Sequence, residues 1–310
     1  MKITIAGGTG FVGRALVDHW LKNNHDVIIL SRRVNDKNGD DRIRYVQWLG
    51  ENSSPYQELE GTDIFINLAG ESINSGRWTE QRKEKILTSR LESVKALLNI
   101  IYKLKTKPTA LINASAIGIY GTSLEKIFTE HENNGYGNDF LATTVTQWEN
   151  EAEKASQLGV RTVFCRFGII LDHNQGALPK IAFPYKSFIG GPIGNGRQWM
   201  SWIHIEDVVK GITFLIENEH IHGPINFTSP NPVTMTEFGK TLAQVLHRPH
   251  WLPVPSYALR VLLGEMSTLV VDGQKVLPNN LLENGFQFTY PELNMALKNI
   301  FSKKTVSFLS

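Results

Sequence analysis

ITIAGGTGFVGRALVDHWLKN, residues 3–23, runs from an apolar strand through a turn carrying Gly7, Gly10 and Gly13 into an amphipathic helix. A strand, a glycine turn and a helix in that order build a cradle for a dinucleotide pyrophosphate. Each glycine meets a different demand: the first permits the tight turn, the second lets backbone N–H groups approach phosphate, and the third lets the helix pack closely on the strand. The helix N-terminus then offers free donors and the positive end of its dipole to an anion.

Outward from that turn the chain alternates strands and helices. DVIILSRR (26–33), IRYVQW (43–48) and DIFINLAG (63–70) read as strands, with the polar loop VNDKNGDDR before the second of these. Thr79 to Leu104 carries Ile86, Leu87, Leu91, Val94, Leu97, Leu98 and Ile101 at helical spacing. TALINASA from Thr109 is a further strand, a helix follows over about Asp139 to Gln157, and VRTVFCRFGIIL (160–171) is the sixth strand. Continuous rather than alternating hydrophobicity marks strands covered on both faces. The expected fold is therefore α/β, a doubly wound parallel sheet.

After Leu171 the pattern loosens into DHNQGALPKIAFPYKSFIGGPIGNGRQWMSW, too long for an ordinary connection and suited to a binding loop or lid. Order returns with IHIEDVVKGITFLIEN, GPINFTS and the helix TMTEFGKTLAQVL; from about Pro253 to Phe301 the signals are mostly helical.

The bulk properties narrow the partners. The 310 residues are 41% hydrophobic and 20% charged, and 32 basic against 30 acidic residues leave +2, too weak a field to hold nucleic acid or an anionic membrane. A small molecule is the expected ligand. The single cysteine, Cys165, excludes an internal disulfide and predicts a reducing cytoplasm. MKITIAGG enters a strand without a secretory signal, and no apolar run approaches the roughly 18 residues of a membrane helix. His220, His222, His247 and His250 lack the spacing of metal ligands, so no metal is expected.

The end of the second strand selects the cofactor. An NAD site places a carboxylate there for the adenosine ribose; this chain has Ser31-Arg32-Arg33. Guanidinium groups bind a 2′-phosphate through charge-assisted bonds, which predicts NADP(H). The alternative is that both arginines simply begin a solvated loop.

With NLAG at 67–70, ASAIGIYG at 114–121 and WIHIEDVV at 202–209, the chain resembles the extended short-chain dehydrogenase/reductase superfamily. AGESINSGRW (69–78), GNGRQWMSWIHIED (194–207) and PVPSYALRVLLGEM (253–266) are similar to its "epimerase family protein" group, related to sugar-nucleotide epimerases. The resemblance implies a Rossmann-type NADP-binding core over 1–170, a substrate loop interleaved with returning core elements over 171–252, and a smaller, mostly helical C-terminal region particular to the group over 253–310. It further implies that Gly7, Thr9, Gly10, Phe11, Val12 and Gly13 line the pyrophosphate. Leu68, Ala69 and Gly70 would pass near the riboses, and Ser115 would end the fifth strand near the nicotinamide.

Relatives of this kind move a proton with Tyr-x-x-x-Lys. Here DFLATTVTQWENEAEK puts Phe140 or Leu141 at the tyrosine and Thr144 or Val145 at the lysine, and the nearby Tyr136 has no lysine four residues later. Ungapped alignment on Tyr120-Gly121 also places Ala116, not Ser115, at the superfamily's hydroxyl position. Ser115, Tyr120 and Glu71 are the substitute acid/base candidates; the alternatives are packing for Tyr120 and a ribose contact or a solvated surface role for Glu71. Arg77 and Trp78 suggest an anion and a ring contact, or a helix-start salt bridge with the tryptophan in the core. Arg197, Trp199, Trp202 and His204 bring one cation, two aromatic faces and a titratable ring within eight positions, fitted to a diphosphate and a base or sugar; His204 also reads as structural. Two functions follow: an NADP(H)-dependent oxidoreductase or epimerase-like enzyme without the usual pair, or a cofactor-responsive binding protein without hydride transfer.

Overall fold

The computed structural model describes residues 1–33, 41–50, 55–131 and 137–302. Strands β1 (Lys2–Ala6), β2 (Asp26–Ser31), β3 (Ile43–Gln47), β4 (Ile64–Asn67), β5 (Ala110–Ala116), β6 (Arg161–Phe167) and β7 (Gly223–Phe227) form one parallel sheet in the order β7-β6-β5-β4-β1-β2-β3. The order reverses beside β1, where open sheets of this class bind ligands. Ala6 stands in register with Leu30 of β2 on one side and Asn67 of β4 on the other, so three connections leave the sheet at one edge.

The chain forms two compact units that interleave along the sequence, residues 1–119, 136–166 and 209–225 in the first and 120–135, 167–208 and 226–310 in the second. In the first unit, α1 (Phe11–Lys22) turns Leu16, Val17 and Trp20 inward at helical spacing. Thr79 caps α2 (Glu80–Lys103) by accepting from Arg82 N at 3.2 Å, and Asp139 caps α3 (Phe140–Glu153) by accepting from Ala142 N at 2.8 Å. Each such cap stabilises its helix by about 1 kcal/mol. Leu30, Phe65, Leu97, Ile101 and Leu111 meet in a buried cluster. Cys165 lies within β6, and burial pushes its thiol pKa well up.

The second unit has its own core, where Leu178 and Ala182 of α4 (Leu178–Lys186) cluster with Trp202, with Phe238 and Leu242 of α6 (Met235–Leu246), and with Leu297 of the last helix, Leu293–Ser302. Thr234 and Glu237 close a reciprocal capping box at the start of α6. Helix α5 (Ile205–Glu217) begins in this unit and continues into the first.

Two sequence expectations change. Val160 to Leu171 is not one strand: β6 ends at Phe167, and Ile169–Leu171 pairs in parallel with Trp202–His204. The break is at Gly168, whose N–H donates to Phe227 O at 3.0 Å and whose missing Cβ would lie 2.5 Å from Ser201 O. The stretch after Leu171 is not wholly irregular either, because it contains α4. Pro179 sits in that helix's first turn, where a missing N–H costs nothing.

One buried ion pair ties α3 to β6 in the first unit. Arg166 Nε and Nη2 donate to Glu149 Oε1 and Oε2 at 2.9 and 2.8 Å, with both side chains at least nine-tenths buried. Glu149→Ala would remove the opposite charge from a buried guanidinium and should cost about 3–5 kcal/mol in chemical denaturation. Glu149→Ala combined with Arg166→Met should recover most of that loss, since no buried charge then lacks a partner.

Candidate functional site

The glycine turn of the first unit is built by backbone packed on backbone. Gly7 has φ +82°, and a Cβ there would lie 2.8 Å from the Leu68 carbonyl. A Cβ on Gly13 would lie 2.3 Å from Gly7 O and 2.6 Å from Gly8 Cα. Gly10 N donates to Gly7 O, and Arg14 N is the donor that returns to Gly10 O, both at 2.9 Å. No side chain caps α1, so the N–H groups of Phe11, Val12 and Gly13 point out of the helix end. Thr9 is exposed beside them, its carbonyl accepting from Arg14 Nε at 2.7 Å. This is a bare cradle of donors that fits a pyrophosphate.

At the end of β2, Ser31 Oγ donates to Arg33 O at 2.7 Å and accepts from Arg33 N at 3.3 Å, folding a small turn. Arg32 and Arg33 are both exposed, and among the described residues no carboxylate is paired with either.

The end of β4 is held by polar groups. Asn67 Nδ2 donates to Asn113 Oδ1 at 2.7 Å, and Asn67 Oδ1 accepts from Ala69 N at 3.2 Å, fixing Leu68-Ala69-Gly70 as the chain leaves the sheet. Glu71 follows, gripped by three side chains of α2. Arg82 Nη1 pairs with its carboxylate at 2.9 Å, Ser89 Oγ accepts from its N–H at 2.9 Å, and Arg90 Nη1 donates to its carbonyl at 3.0 Å. Burial pulls Arg90 down to about 10, partly opposed by Glu71, and its guanidinium lies 5.1 Å from the ring centre of Trp148. Sequence reading missed these three residues; their spacing of seven and eight puts them on one helical face, a legible signal.

Ser115 and Glu149 form the other buried feature. Ser115 Oγ donates to Glu149 Oε1 at 2.5 Å, joining the hydroxyl to the ion pair with Arg166. Arg166 was also readable, as a charge between the apolar Cys165 and Phe167 of its strand. On α3 the ring of Phe140 meets Trp78 edge to face at 5.3 Å, with Lys83 Nζ 5.7 Å from its centre, while Thr144 and Val145 are buried. Trp78 is itself buried and donates to Ile73 O at 2.9 Å; Arg77 beside it is exposed. Tyr136 lies outside the described residues.

In the second unit Tyr120 is buried, donates to Asn226 Oδ1 at 2.9 Å and stacks on Phe128 at 5.3 Å. Trp202 is fully buried, its indole donating to Asn231 O at 3.2 Å. His204 is buried too, its Nδ1 accepting from Glu206 N at 3.1 Å and its ring 4.0 Å from that of Tyr290. Trp199 is half-buried, with Lys275 Nζ 4.5 Å from its ring, and Arg197 is exposed. The run of Arg197 to His204 thus divides into two surface and two core positions. Among the described residues no metal-binding group of three His, Cys, Asp or Glu side chains comes together, and no helix is long and apolar enough to cross a membrane.

Residues 3–226 match the family model described as the NAD dependent epimerase/dehydratase family, and residues 254–300 match a domain of unknown function, DUF1731. The chain is 50% identical to epimerase family protein YfhF of Bacillus subtilis over 99% of its own length and 100% of that protein's. The structure of human epimerase family protein SDR39U1 (isoform 2) with NADPH is 31% identical, with a TM-score of 0.86 over 98% of this chain and 100% of that one. A nucleoside-diphosphate sugar epimerase from Corynebacterium glutamicum is 29% identical with a TM-score of 0.77, over 99% of this chain and 59% of that one.

Glu130 accepts from the N–H groups of Asn226 at 2.8 Å and Asn280 at 3.4 Å. Burial raises its pKa above the ordinary 4.5, with those N–H groups opposing the rise. The stability it contributes is therefore fully present below pH 4.5 and lost as pH climbs through the raised value. Glu130→Gln should flatten the decline in denaturation free energy from pH 4.5 toward neutrality.

Proposed function

The chain belongs to the NAD dependent epimerase/dehydratase family, and from that premise we propose that it is an NADP(H)-dependent enzyme of the oxidoreductase or epimerase type acting on a small molecule. The observation that carries the choice of cofactor is the exposed pair Arg32 and Arg33 at the end of β2, on the strand beside β1. A carboxylate there would repel a 2′-phosphate; two exposed guanidinium groups attract it. The human relative described with NADPH supports the same reading.

When bound, NADP(H) supplies or takes up a hydride. The protein's part is to hold and to move a proton. Phe11, Val12 and Gly13 N–H groups take the pyrophosphate, Arg32 and Arg33 the 2′-phosphate, and the backbone of Leu68, Ala69 and Gly70 flanks the riboses. On the reading that puts Phe140 or Leu141 at the tyrosine and Thr144 or Val145 at the lysine, the proton falls to another group. Ser115 and Tyr120 are buried and already donate to Glu149 and Asn226. Glu71 keeps a quarter of its side chain exposed beside the strand end, and Arg82 pairs with its carboxylate. In the first unit we assign the acid/base role to Glu71, with Arg77 as a substrate contact and Trp78 in the core; taken by itself, the second unit offers Arg197 and Trp199 as candidate substrate contacts, with Trp202 and His204 in its core.

The second reading is a cofactor-responsive binding protein without hydride transfer. The reading of Phe140 or Leu141 at the tyrosine position favours it, because neither side chain can carry a proton.

Two results are expected. Arg32→Ala with Arg33→Ala should weaken NADPH relative to NADH by about 10- to 150-fold per bond lost in fluorescence titration, as a charge-assisted bond contributes about 1.5–3 kcal/mol; an unchanged preference would reject the assignment. Glu71→Gln should leave NADPH affinity intact and abolish NADPH oxidation on whichever member of a carbonyl panel the wild type reduces. Tight NADPH binding with no turnover across the panel would favour the second reading.

A further inference from the structure

Five large apolar side chains of the second unit stand in solvent on two turns that are bonded to each other. Phe183 of α4 is 66% exposed, Phe188 and Ile189 in the turn after it are 54% and 51%, and Trp251 and Leu252 in the segment after α6 are 65% and 44%. Trp251 N and Leu252 N donate to Gly190 O at 3.0 and 3.3 Å, and the Trp251 indole donates to Phe188 O at 2.9 Å. Phe188 has φ +64°, a conformation that favours glycine, so the turn carries a large ring at a position where a bulky residue is strained. Side chains exposed to this degree are knobs rather than the walls of a groove. A cluster of them marks an interaction surface.

The backbone behind the knobs is closed. Phe188 N donates to Tyr185 O and Ile189 N to Pro184 O, both at 2.9 Å, which with the bonds of Trp251 and Leu252 engages the N–H groups of all four turn residues. Pro249 and Pro253, close on either side of Trp251-Leu252, have no N–H to satisfy. Such a surface can leave water without orphaning those donors, which is what a lipid environment requires. It also offers none of them to an added peptide strand.

Charge then selects the partner. Residues 173–205 and 238–264, the stretches that carry the knobs, contain no aspartate or glutamate. Their Lys180, Lys186 and Lys240 are exposed, and the Arg248 guanidinium lies 4.4 Å from the ring centre of Phe188. Lys180 stands three residues before Phe183 on one face of α4. Lys240 is near enough to His250 to add to burial in lowering that ring's pKa. Among the described residues none of these four cations is paired with a carboxylate. The balance of +2 over the whole chain averages out this local excess. A second copy meeting this face about a two-fold axis would set the cations against themselves. An anionic bilayer accepts apolar knobs and attracts cations together, and tryptophan is a side chain that its interface favours.

We infer that this face of the second unit is a peripheral docking surface for an anionic membrane: the five apolar side chains enter the headgroup boundary, and Lys180, Lys186, Lys240 and Arg248 meet lipid phosphate. The inference goes beyond the enzymatic reading and does not depend on it.

The test is cosedimentation of the full chain with vesicles of phosphatidylcholine alone and of phosphatidylcholine and phosphatidylglycerol in equal parts. Binding should be about tenfold or more tighter to the anionic vesicles and should fall as ionic strength rises. Phe183→Ser with Ile189→Ser, and separately Lys180→Gln with Lys186→Gln and Lys240→Gln, should each weaken it by about tenfold or more. Melting temperature should be unchanged in both, because every altered side chain is exposed. Tyr102→Ser, which removes an exposed ring of the first unit, should bind like the wild type. No binding to anionic vesicles, equal binding to both vesicle types, wild-type affinity in both multiple variants, or the same loss in Tyr102→Ser would overturn the membrane assignment. A dimer that dissociates in the Phe183 and Ile189 variant, without vesicle binding by the wild type, would overturn it in favour of a second copy.

Discussion

No side chain fits between the first turn of α1 and the turn that follows β1. A methyl on Gly13 would lie 2.3 Å from Gly7 O, and one on Gly7 would press on Leu68 at 2.8 Å. Three backbone segments, from β1, α1 and the end of β4, are thus stacked without side chains between them. The consequence is positional. The free donors of α1 are brought to bare backbone at the point where the sheet order reverses, and strand register sets Ser31 and Asn67 beside it. Every other part of the candidate cofactor site is located by that contact.

Within each unit, buried charge is held in place by multiple partners. Glu149 receives two bonds from Arg166 and one from Ser115. Asp207, fully buried in the second unit, accepts from Thr289 N at 2.7 Å and Tyr290 N at 3.0 Å. A buried carboxylate so surrounded is costly to disturb but strongly directional. Such groups fix the angle at which a helix or loop meets its neighbour, where apolar packing alone would accept several.

The strand, glycine turn and helix were legible because each element is local: a run of apolar residues, a triplet spacing, a helical period. Continuous hydrophobicity also announced the doubly covered sheet. It could not announce the break at Gly168, because Ile169–Leu171 is as apolar as β6 and only its partner strand differs. Pro179 and Pro184 concealed α4, although one lies where a helix tolerates proline. Trp202 looked like a ligand face from residue type while His204 also read as structural; Trp202–His204 is a three-residue strand buried throughout. Glu149 and Arg166 were visible separately; their pairing depends on how α3 is laid on the sheet, which no local pattern encodes.

The placement of Cys165 within β6 has a practical corollary. As the chain's sole thiol, it is screened by the sheet and held in its unreactive protonated form by burial. A thiol reagent can reach it only when β6 separates from its neighbours. The unmodified protein therefore carries its own clock for that event, and the labelling rate at one atom reports how often the sheet comes open between β7 and β5.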